Sequence, residues 1–400
     1  MPPPQAVAAL LVLSLAAGCA AERFPARGVV VGQVVATTVD SAGAQALVSG
    51  TAPIPAALPA PADRAGWQRL ATATSLDSAA LLLALAIAAD PRHGCWRERY
   101  TVELAALRRG SIPAPTQRPV LVLAVPGWMY LRQPQTGADL ARPRALLARL
   151  GIASELIATI ENGSVEANAA IVAEAVRRHG GAGRTLILLS ASKGGAEVAE
   201  ALGQLLAAED RAAVRAWVNV GGLLRGTPLA DLATTWPTSW LAAAYFASQG
   251  LEPGDSVASL RTERSSARLA RQRLPPDLLL VNLVGIPLSG HIRPQTRFGY
   301  GRLSAFGPND ALTPIADIAA HGGVIIAELG LDHYFADPEI DLKTAALAAL
   351  VLDEIAGPAR ACPADAGSAA VAGGSVAPAT IPRRADRRPD PAVAARHPPR

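Results

Sequence analysis

Ser192 is the residue of this chain that is best placed to act as a nucleophile. It lies in the segment Ser-Ala-Ser-Lys-Gly-Gly at residues 190–195, directly after the apolar run at residues 185–189. A strand that turns sharply into a helix leaves the side chain at the turn exposed, provided that small residues flank the turn closely. Free amides at the start of the helix favour negative charge. The pattern predicts a serine nucleophile and makes the amide of Lys193 a donor to an oxyanion.

This strand, turn and helix resemble the nucleophile elbow of the α/β-hydrolase superfamily, on its esterase and lipase side. The resemblance covers about residues 119–355, and Ser190 stands where the family pattern usually has glycine. It implies a mainly parallel central sheet flanked by helices. It also implies a catalytic triad whose members follow one another in the chain as Ser, then Asp or Glu, then His.

Three of the six histidines follow Ser192 with room for an acid between them and the serine, and the resemblance selects one of these three as the base. In that superfamily the histidine lies in the loop after the last strand. His333 follows the apolar run at residues 324–329 and is therefore the predicted base. His321, which precedes this run, is the alternative, and His397 lies in the C-terminal tail.

The acid of the triad is expected after the predicted strand at residues 278–284. Residues 307–314, Gly-Pro-Asn-Asp-Ala-Leu-Thr-Pro, resemble the N-D-G-x-V-P turn of the family, with alanine in the glycine position. Asp310 is therefore the predicted acid, and Asp317 and Asp332 are the alternatives. In such a triad the histidine takes the serine proton, the acid orients the imidazole, and the serine forms an acyl-enzyme that water hydrolyses.

The resemblance also places a second oxyanion donor in the loop after an early strand. Residues 120–125 are apolar and end in Pro126-Gly127-Trp128, which is similar to the family's His-Gly-x turn with proline replacing histidine. A glycine lets the backbone approach the reacting atoms closely. The backbone N–H of Trp128 is the predicted donor.

An aromatic segment follows the predicted strand at residues 217–220. It lies in a stretch predicted to be a helical lid at about residues 226–275, and its aromatic residues are Trp236, Trp240, Tyr245 and Phe246. Apolar and aromatic side chains at strand ends are typical of a pocket for a hydrophobic substrate. We predict that these four residues belong to the lid or the substrate pocket.

Alternating strand and helix patterns predict an α/β fold with a mainly parallel sheet. The distance from the strand at residues 278–284 to Asp310 implies an insertion around residues 290–303. In the N-terminal region, residues 29–36 and 97–107 are predicted as strands. Residues 76–89 are predicted as an apolar helix capped by Ser75.

The two ends of the chain differ from its centre. Residues 1–18 resemble a secretory signal, which predicts an exported protein. Leu-Ala-Ala-Gly-Cys at residues 15–19 resembles a bacterial lipoprotein box, which predicts lipidation at Cys19. The protein is therefore expected to be periplasmic or anchored to a membrane of the bacterial envelope. Residues 19–112 are predicted as an N-terminal extension packing on a hydrolase domain at residues 113–357. Residues 358–400, rich in Pro, Ala and Arg, are predicted to be disordered. Cys95 and Cys362 form a disulfide or remain free thiols, and the sequence does not decide between these states.

Composition narrows the class of function. Residues 383–400 carry six arginines and two aspartates, which account for the whole net charge of +4. The rest of the sequence has no basic cluster of the kind that binds nucleic acid, so nucleic-acid binding is not expected. No metal or dinucleotide motif occurs in the sequence. The resemblance implies a cofactor-free serine esterase acting on small-molecule or lipid esters. An acyltransferase with the same triad, a peptidase of the same fold and a non-catalytic envelope binding protein are the alternatives.

Overall fold

A six-stranded parallel sheet forms the centre of the computed structural model, which describes residues 22–110, 120–248, 250, 254–357 and 362. Its strands are β3 (Val120–Val125), β4 (Ala153–Leu156), β5 (Thr185–Ala191), β6 (Val214–Val220), β7 (Leu279–Ile286) and β8 (Val324–Leu329). They lie in the order β4-β3-β5-β6-β7-β8, and every neighbouring pair is parallel. The predicted parallel sheet is confirmed. The edge strand β4 was not predicted, because its four residues, Ala-Ser-Glu-Leu, form no apolar run.

Helices cover both faces of this sheet. They are α5 (Ala141–Arg149), α6 (Val165–Gly180), α7 (Lys193–Glu200), α8 (Ala208–Arg211) and, at the end of the domain, α15 (Ile340–Ala356). Alternate residues of β3 point to opposite faces: Leu121 and Leu123 pack with residues of α6, whereas Val122 and Ala124 pack with residues of α5 and α15. Burial on both faces explains why the central strands are almost continuously apolar.

Among the described residues between β6 and β7 there are four helices. They are α9 (Pro228–Thr234), α10 (Thr238–Ser248), α11 (Asp255–Ser259) and α12 (Thr262–Arg271). They occupy the stretch predicted as a helical insertion at residues 226–275. Between β7 and β8 lie two shorter helices, α13 (Arg297–Leu303) and α14 (Ile315–Ile318).

The described part of the N-terminal extension is an antiparallel hairpin followed by four helices. The hairpin consists of β1 (Phe24–Val30) and β2 (Gln33–Val39), and the helices are α1 (Ala42–Val48), α2 (Arg64–Ala73), α3 (Leu76–Ala89) and α4 (Pro91–Arg108). The predicted helix at residues 76–89 is confirmed, and the Ser75 side chain accepts the N–H of Ser78 at its start. The single strand predicted at residues 29–36 is wrong, because the chain turns at Val31 and Gly32, both with positive φ.

The strand predicted at residues 97–107 is also wrong, because this stretch lies within α4. Asp90 caps the helix by accepting the N–H groups of Arg92 and His93, and Pro91 occupies its first turn. The buried residues Trp96, Tyr100, Leu104 and Leu107 recur at helical spacing and form one face. That face packs into the same hydrophobic core as β3 and α15, so the extension shares the core of the sheet.

A disulfide joins Cys95 of α4 to Cys362, beyond α15, and so decides between the two states that the sequence left open. Arg99 of α4 strengthens the same contact through ion pairs with Asp353 and Glu354. Within the described part of the chain, no helix has both the length and the apolar character that crossing a membrane requires. The predicted signal, Cys19 and the rest of the C-terminal tail lie outside the described residues.

Candidate active site

Ser192 occupies a strained turn between β5 and α7. Its backbone adopts φ of 53° and ψ of −121°, a conformation that residues with a side chain rarely populate. Three backbone hydrogen bonds hold it there: the Ser192 N–H donates to Val220, and the N–H groups of Gly195 and Leu223 donate to the Ser192 carbonyl, at 2.9–3.1 Å. The residues around the turn therefore maintain the strain and expose the serine side chain.

The glycine that follows Lys193 is required by the close approach of another strand. A Cβ atom on Gly194 would lie 2.6 Å from the carbonyl oxygen of Pro126 and 2.7 Å from that of Val125. The turn therefore packs directly on the end of β3. Ser190 replaces the usual first glycine without a clash, because its Oγ accepts the indole N–H of Trp217 at 2.8 Å inside the core.

The three residues predicted as the triad form one continuous chain of hydrogen bonds. His333 Nε2 lies 2.9 Å from Ser192 Oγ, and His333 Nδ1 lies 2.7 Å from Asp310 Oδ2. The Asp310 carbonyl also accepts the N–H of His333 at 2.8 Å. Asp310 is fully buried and His333 is 9% exposed, so water has little access to the hydrogen bond between them.

The second carboxylate oxygen of Asp310 is bound locally. Oδ1 accepts the backbone N–H groups of Leu312 at 2.9 Å and Thr313 at 2.8 Å. Because each oxygen of the carboxylate has its own donors, the side chain cannot rotate away from His333 without losing hydrogen bonds. The turn that was predicted to supply the acid therefore also fixes its orientation.

The structure assigns the alternative candidates to other environments. His321 Nε2 lies 2.8 Å from Gln272 Oε1, and burial together with the nearby Arg225 lowers the pKa of His321 to about 4. Asp317 is held by Arg64 and lies near Arg225. Asp332, the third alternative, is bound by Arg293 through two hydrogen bonds.

The backbone amides of Trp128 and Lys193, the two predicted oxyanion donors, lie in turns beside Ser192. A Cβ atom on Gly127 would lie 3.3 Å from Ser192 Cβ, so the turn that carries Trp128 borders the nucleophile. Within the described part of the chain, the N–H groups of Trp128 and Lys193 donate to no backbone carbonyl. The Trp128 side chain is anchored separately, since its indole N–H donates to Asn162 Oδ1 at 3.3 Å.

Comparison with known structures identifies the architecture. The metagenomic carboxyl esterase MGS0156 superposes with a TM-score of 0.52 at 21% identity, over 66% of this chain and 92% of that chain. This chain has the α/β-hydrolase fold. The mature Bacillus licheniformis lipase BlEst2 is also similar, with a TM-score of 0.46 at 22% identity, and the match covers 61% of this chain and 93% of that chain. Lipase 1 from Pelosinus fermentans gives a TM-score of 0.40 at 13% identity, over 59% and 98% of the two chains. No family model and no curated protein matches the sequence.

In this α/β-hydrolase fold, a buried ion pair lies behind the nucleophile and was not predicted. The Lys193 ammonium pairs with Glu197 one helical turn later, and both side chains are at most 2% exposed. Asn168 Nδ2 donates to the same Glu197 oxygen at 2.8 Å and to the carbonyl of Ile160 at 2.9 Å. Burial raises the pKa of Glu197, and Lys193 opposes that change. The i, i+4 spacing was visible in the sequence, but nothing there showed that the pair is buried.

A second unpredicted feature is a row of polar side chains across the sheet, the polar ladder, formed by Ser190, Asn219 and Asn282. These residues are register partners on β5, β6 and β7, and all three are fully buried. Asn219 Nδ2 donates to Asn282 Oδ1 at 2.9 Å, and Asn282 Nδ2 donates to the carbonyl of Gly322 at 2.8 Å. The polar ladder ends two residues before the nucleophile.

The aromatic residues predicted for the lid or pocket separate into two environments. Trp236 is 81% exposed and Trp240 is 59% exposed, so neither lines a closed cavity. Phe246 is buried, and its ring meets that of Trp128 edge to face at 5.5 Å. The side chain of Tyr245 lies outside the described residues. The Trp128–Phe246 ring pair therefore joins helix α10 to the candidate oxyanion turn.

Among the described residues, no group of three His, Cys, Asp or Glu side chains is arranged to hold a metal ion.

Proposed function

We propose that this protein is a serine hydrolase that cleaves carboxylic esters. The observation that carries the proposal is the continuous hydrogen-bond chain from Ser192 Oγ through His333 to Asp310. A nucleophile within hydrogen-bonding distance of a base, which a third group orients, is the arrangement needed for covalent acyl transfer. The structural resemblance to a carboxyl esterase supports the fold on which this chemistry would operate.

The proposed reaction proceeds through an acyl-enzyme. His333 Nε2 accepts the Ser192 proton as Oγ attacks the ester carbonyl, and the imidazolium is stabilised by Asp310. The amides of Lys193 and Trp128 would receive the negative charge that develops on the carbonyl oxygen. The tetrahedral intermediate then collapses, and the departing alcohol takes the proton from His333. Water attacks the acyl-enzyme by the same route and releases the acid and free Ser192.

The substrates we propose are small-molecule or lipid esters with an apolar acyl group. The support comes from a buried apolar cluster next to the Trp128 turn, which includes Met129, Leu223, Phe246 and Leu260. Apolar side chains beside a few polar groups are typical of ligand pockets. The cluster is made largely by the insertion between β6 and β7, so this insertion is the proposed lid.

We also propose that the protein works in an oxidising compartment. The support is the disulfide between Cys95 and Cys362, because reducing cytosols keep such thiols free. Export agrees with this, and lipidation at Cys19 remains a prediction. Mass spectrometry of the protein recovered from its native host, without reductant, tests both points. An intact disulfide supports the compartment, whereas two free thiols contradict it.

The function is tested by measuring hydrolysis of p-nitrophenyl butyrate and decanoate by the full chain and by Ser192→Ala. We expect turnover that the variant loses, while its melting temperature stays within a few degrees of the parent. Asp310→Asn should reduce kcat by about 10⁴-fold, as expected for a base held in the wrong tautomer. A folded parent that neither hydrolyses these esters nor reacts with a fluorophosphonate would refute the proposal. Faster product formation on adding an acceptor alcohol would assign acyl transfer instead.

A further inference from the structure

The segment between β7 and the Asp310 turn contacts the residues that flank Asp310 and His333 in the chain. We call residues 289–303 the brace; it begins with a short helical turn at Ser289–His291 and ends with α13. The sequence showed only that this segment is long. In the structure its two ends converge on one buried residue of the N-terminal extension, and its middle reaches the loop of the predicted base.

Asp77 of α3 is the residue on which the ends of the brace converge. Its Oδ1 accepts the Ser289 N–H at 2.8 Å and the Tyr300 hydroxyl at 3.2 Å, and its Oδ2 accepts the Ser289 hydroxyl at 2.6 Å. The N–H of Asp40 donates to the same carboxylate at 2.8 Å. Asp77 is fully buried, and four donors surround a group that in its ionised form can only accept. The start of the brace and α13 are therefore fixed to α3 and to the end of β2.

The middle of the brace holds the residue next to the predicted base. Arg293 makes two parallel hydrogen bonds to Asp332, with Nε to Oδ2 at 3.0 Å and Nη2 to Oδ1 at 2.8 Å. The Thr296 hydroxyl and the Tyr334 N–H also donate to this carboxylate, which is 4% exposed. Paired arginine–carboxylate bonds fix orientation as well as distance. Asp332 therefore ties the residues on either side of His333 to the brace.

Ring contacts continue from the brace to the imidazole itself. The Arg293 guanidinium lies over the Tyr334 ring, 5.4 Å from its centroid. The Tyr334 ring meets the His333 ring nearly at right angles, with 6.1 Å between the centroids. A displacement of Arg293 would therefore change the packing against the imidazole that must align with Ser192.

The other end of the brace contacts the turn of the acid. Asn309 Nδ2 donates to the carbonyl of Tyr300 at 3.4 Å. A Cβ atom on Gly299 would collide with the carbonyl oxygen of Ala311, so α13 lies directly against the residues that flank Asp310. One segment thus contacts the acid turn at one point and the base loop at another.

We propose that the brace is a positioning element for the Asp310–His333 pair, that Arg293 is its positioning residue, and that Asp77 anchors it to the N-terminal extension. The inference rests on the proposed function and assigns a role to the extension within it. Effective proton transfer requires the base to be held in a narrow range of positions, and a misplacement of about 1 Å costs about 10²-fold in rate. The extension would then contribute to kcat through the hydrogen bonds of Asp77 to the brace.

Three arginine variants in the full chain test this role. Arg293→Met should lower kcat for p-nitrophenyl butyrate by about 10- to 100-fold with KM changed less than about twofold, and Arg293→Lys should recover part of the loss. The matched control is Arg99→Met. Arg99 also pairs with carboxylates and lies over an aromatic ring, that of Trp96, but it contacts α15 and not the brace. Its removal should lower the melting temperature and leave kcat within about twofold.

Tyr300→Phe removes only the hydroxyl that reaches Asp77 and provides a second test if Arg293→Met does not fold. We expect kcat to fall by about 2- to 10-fold with KM unchanged. The rate of fluorophosphonate labelling of Ser192 should fall in parallel for both variants. If the parent reacts and both variants match Arg99→Met in kcat, the brace does not position the pair and the inference fails. If the parent itself does not react, the proposed function fails instead.

Discussion

Lys193, the residue after the nucleophile candidate, forms an ion pair inside the protein with Glu197, one turn further along α7. A buried charge that loses its partner is strongly destabilising, by about 3–5 kcal/mol. We expect Glu197→Gln and Lys193→Met each to lower the free energy of unfolding by about this amount. Replacing the pair by Lys193→Met with Glu197→Leu should cost less than either single change. Urea unfolding of the four proteins measures this, and a double variant as unstable as the sum of the two singles would contradict it.

Gly194 should not tolerate a side chain, because a Cβ atom there would press on two carbonyl oxygens at the end of β3. We expect Gly194→Ala to lower the free energy of unfolding by about 1–3 kcal/mol and to slow fluorophosphonate labelling. Gly301→Ala is the matched control. Gly301 is exposed in α13 with nothing within 4 Å of its Cβ position, so alanine should be neutral or stabilise by up to about 1 kcal/mol. Equal stability of the two variants would show that the turn has room.

The stability of the protein should depend on pH through His321. Burial lowers the pKa of His321 from 6.5 to about 4, so between these values the unfolded chain binds the proton and the folded chain does not. The folded state therefore loses stability as the pH falls through this window, by up to about 3 kcal/mol for this group. His321→Gln should show a smaller decrease in melting temperature between pH 7 and pH 4.5 than the parent. Parallel curves for the two proteins would contradict this assignment.

The disulfide should contribute substantially to stability, because it closes a loop whose ends are separated by 267 residues. The chain-entropy model gives about 5.6 kcal/mol for a loop of this size. We expect Cys95→Ala with Cys362→Ala to lower the melting temperature markedly, and dithiothreitol to lower that of the parent but not that of the variant. A parent whose melting temperature is insensitive to the reductant would mean that the bond adds little.

Much of the candidate site could be predicted from order along the chain. Ser192 follows an apolar run, Asp310 lies in a recognisable turn, and His333 follows the last run, so residue type and sequence order, together with the resemblance to the α/β-hydrolase pattern, were sufficient to choose them. The structure brings these three together. Their catalytic roles remain the proposal.

What the sequence did not predict depends on contacts between distant residues. Asp77 and Ser289 are 212 positions apart, and no local pattern marks them as partners. The strand predicted at residues 97–107 failed for a different reason. Polar residues between the apolar positions of α4 resemble the alternation of a half-buried strand, whereas the signal of a helix start, Asp90 followed by Pro91, precedes this stretch.

The polar ladder of Ser190, Asn219 and Asn282 has a consequence for how the sheet is assembled. Amide groups at matching heights on β6 and β7 find partners only when the strands are aligned as observed. A shift of one strand by one residue would turn these side chains to the other face of the sheet and leave buried donors unsatisfied. The neighbouring leucines and valines could pack on either face, because they make no hydrogen bonds. The ladder thus discriminates between alignments that apolar packing alone would permit. Ser192, the proposed nucleophile, lies two residues beyond Ser190. The strand alignment that the ladder selects therefore also fixes the position of Ser192 along the sheet.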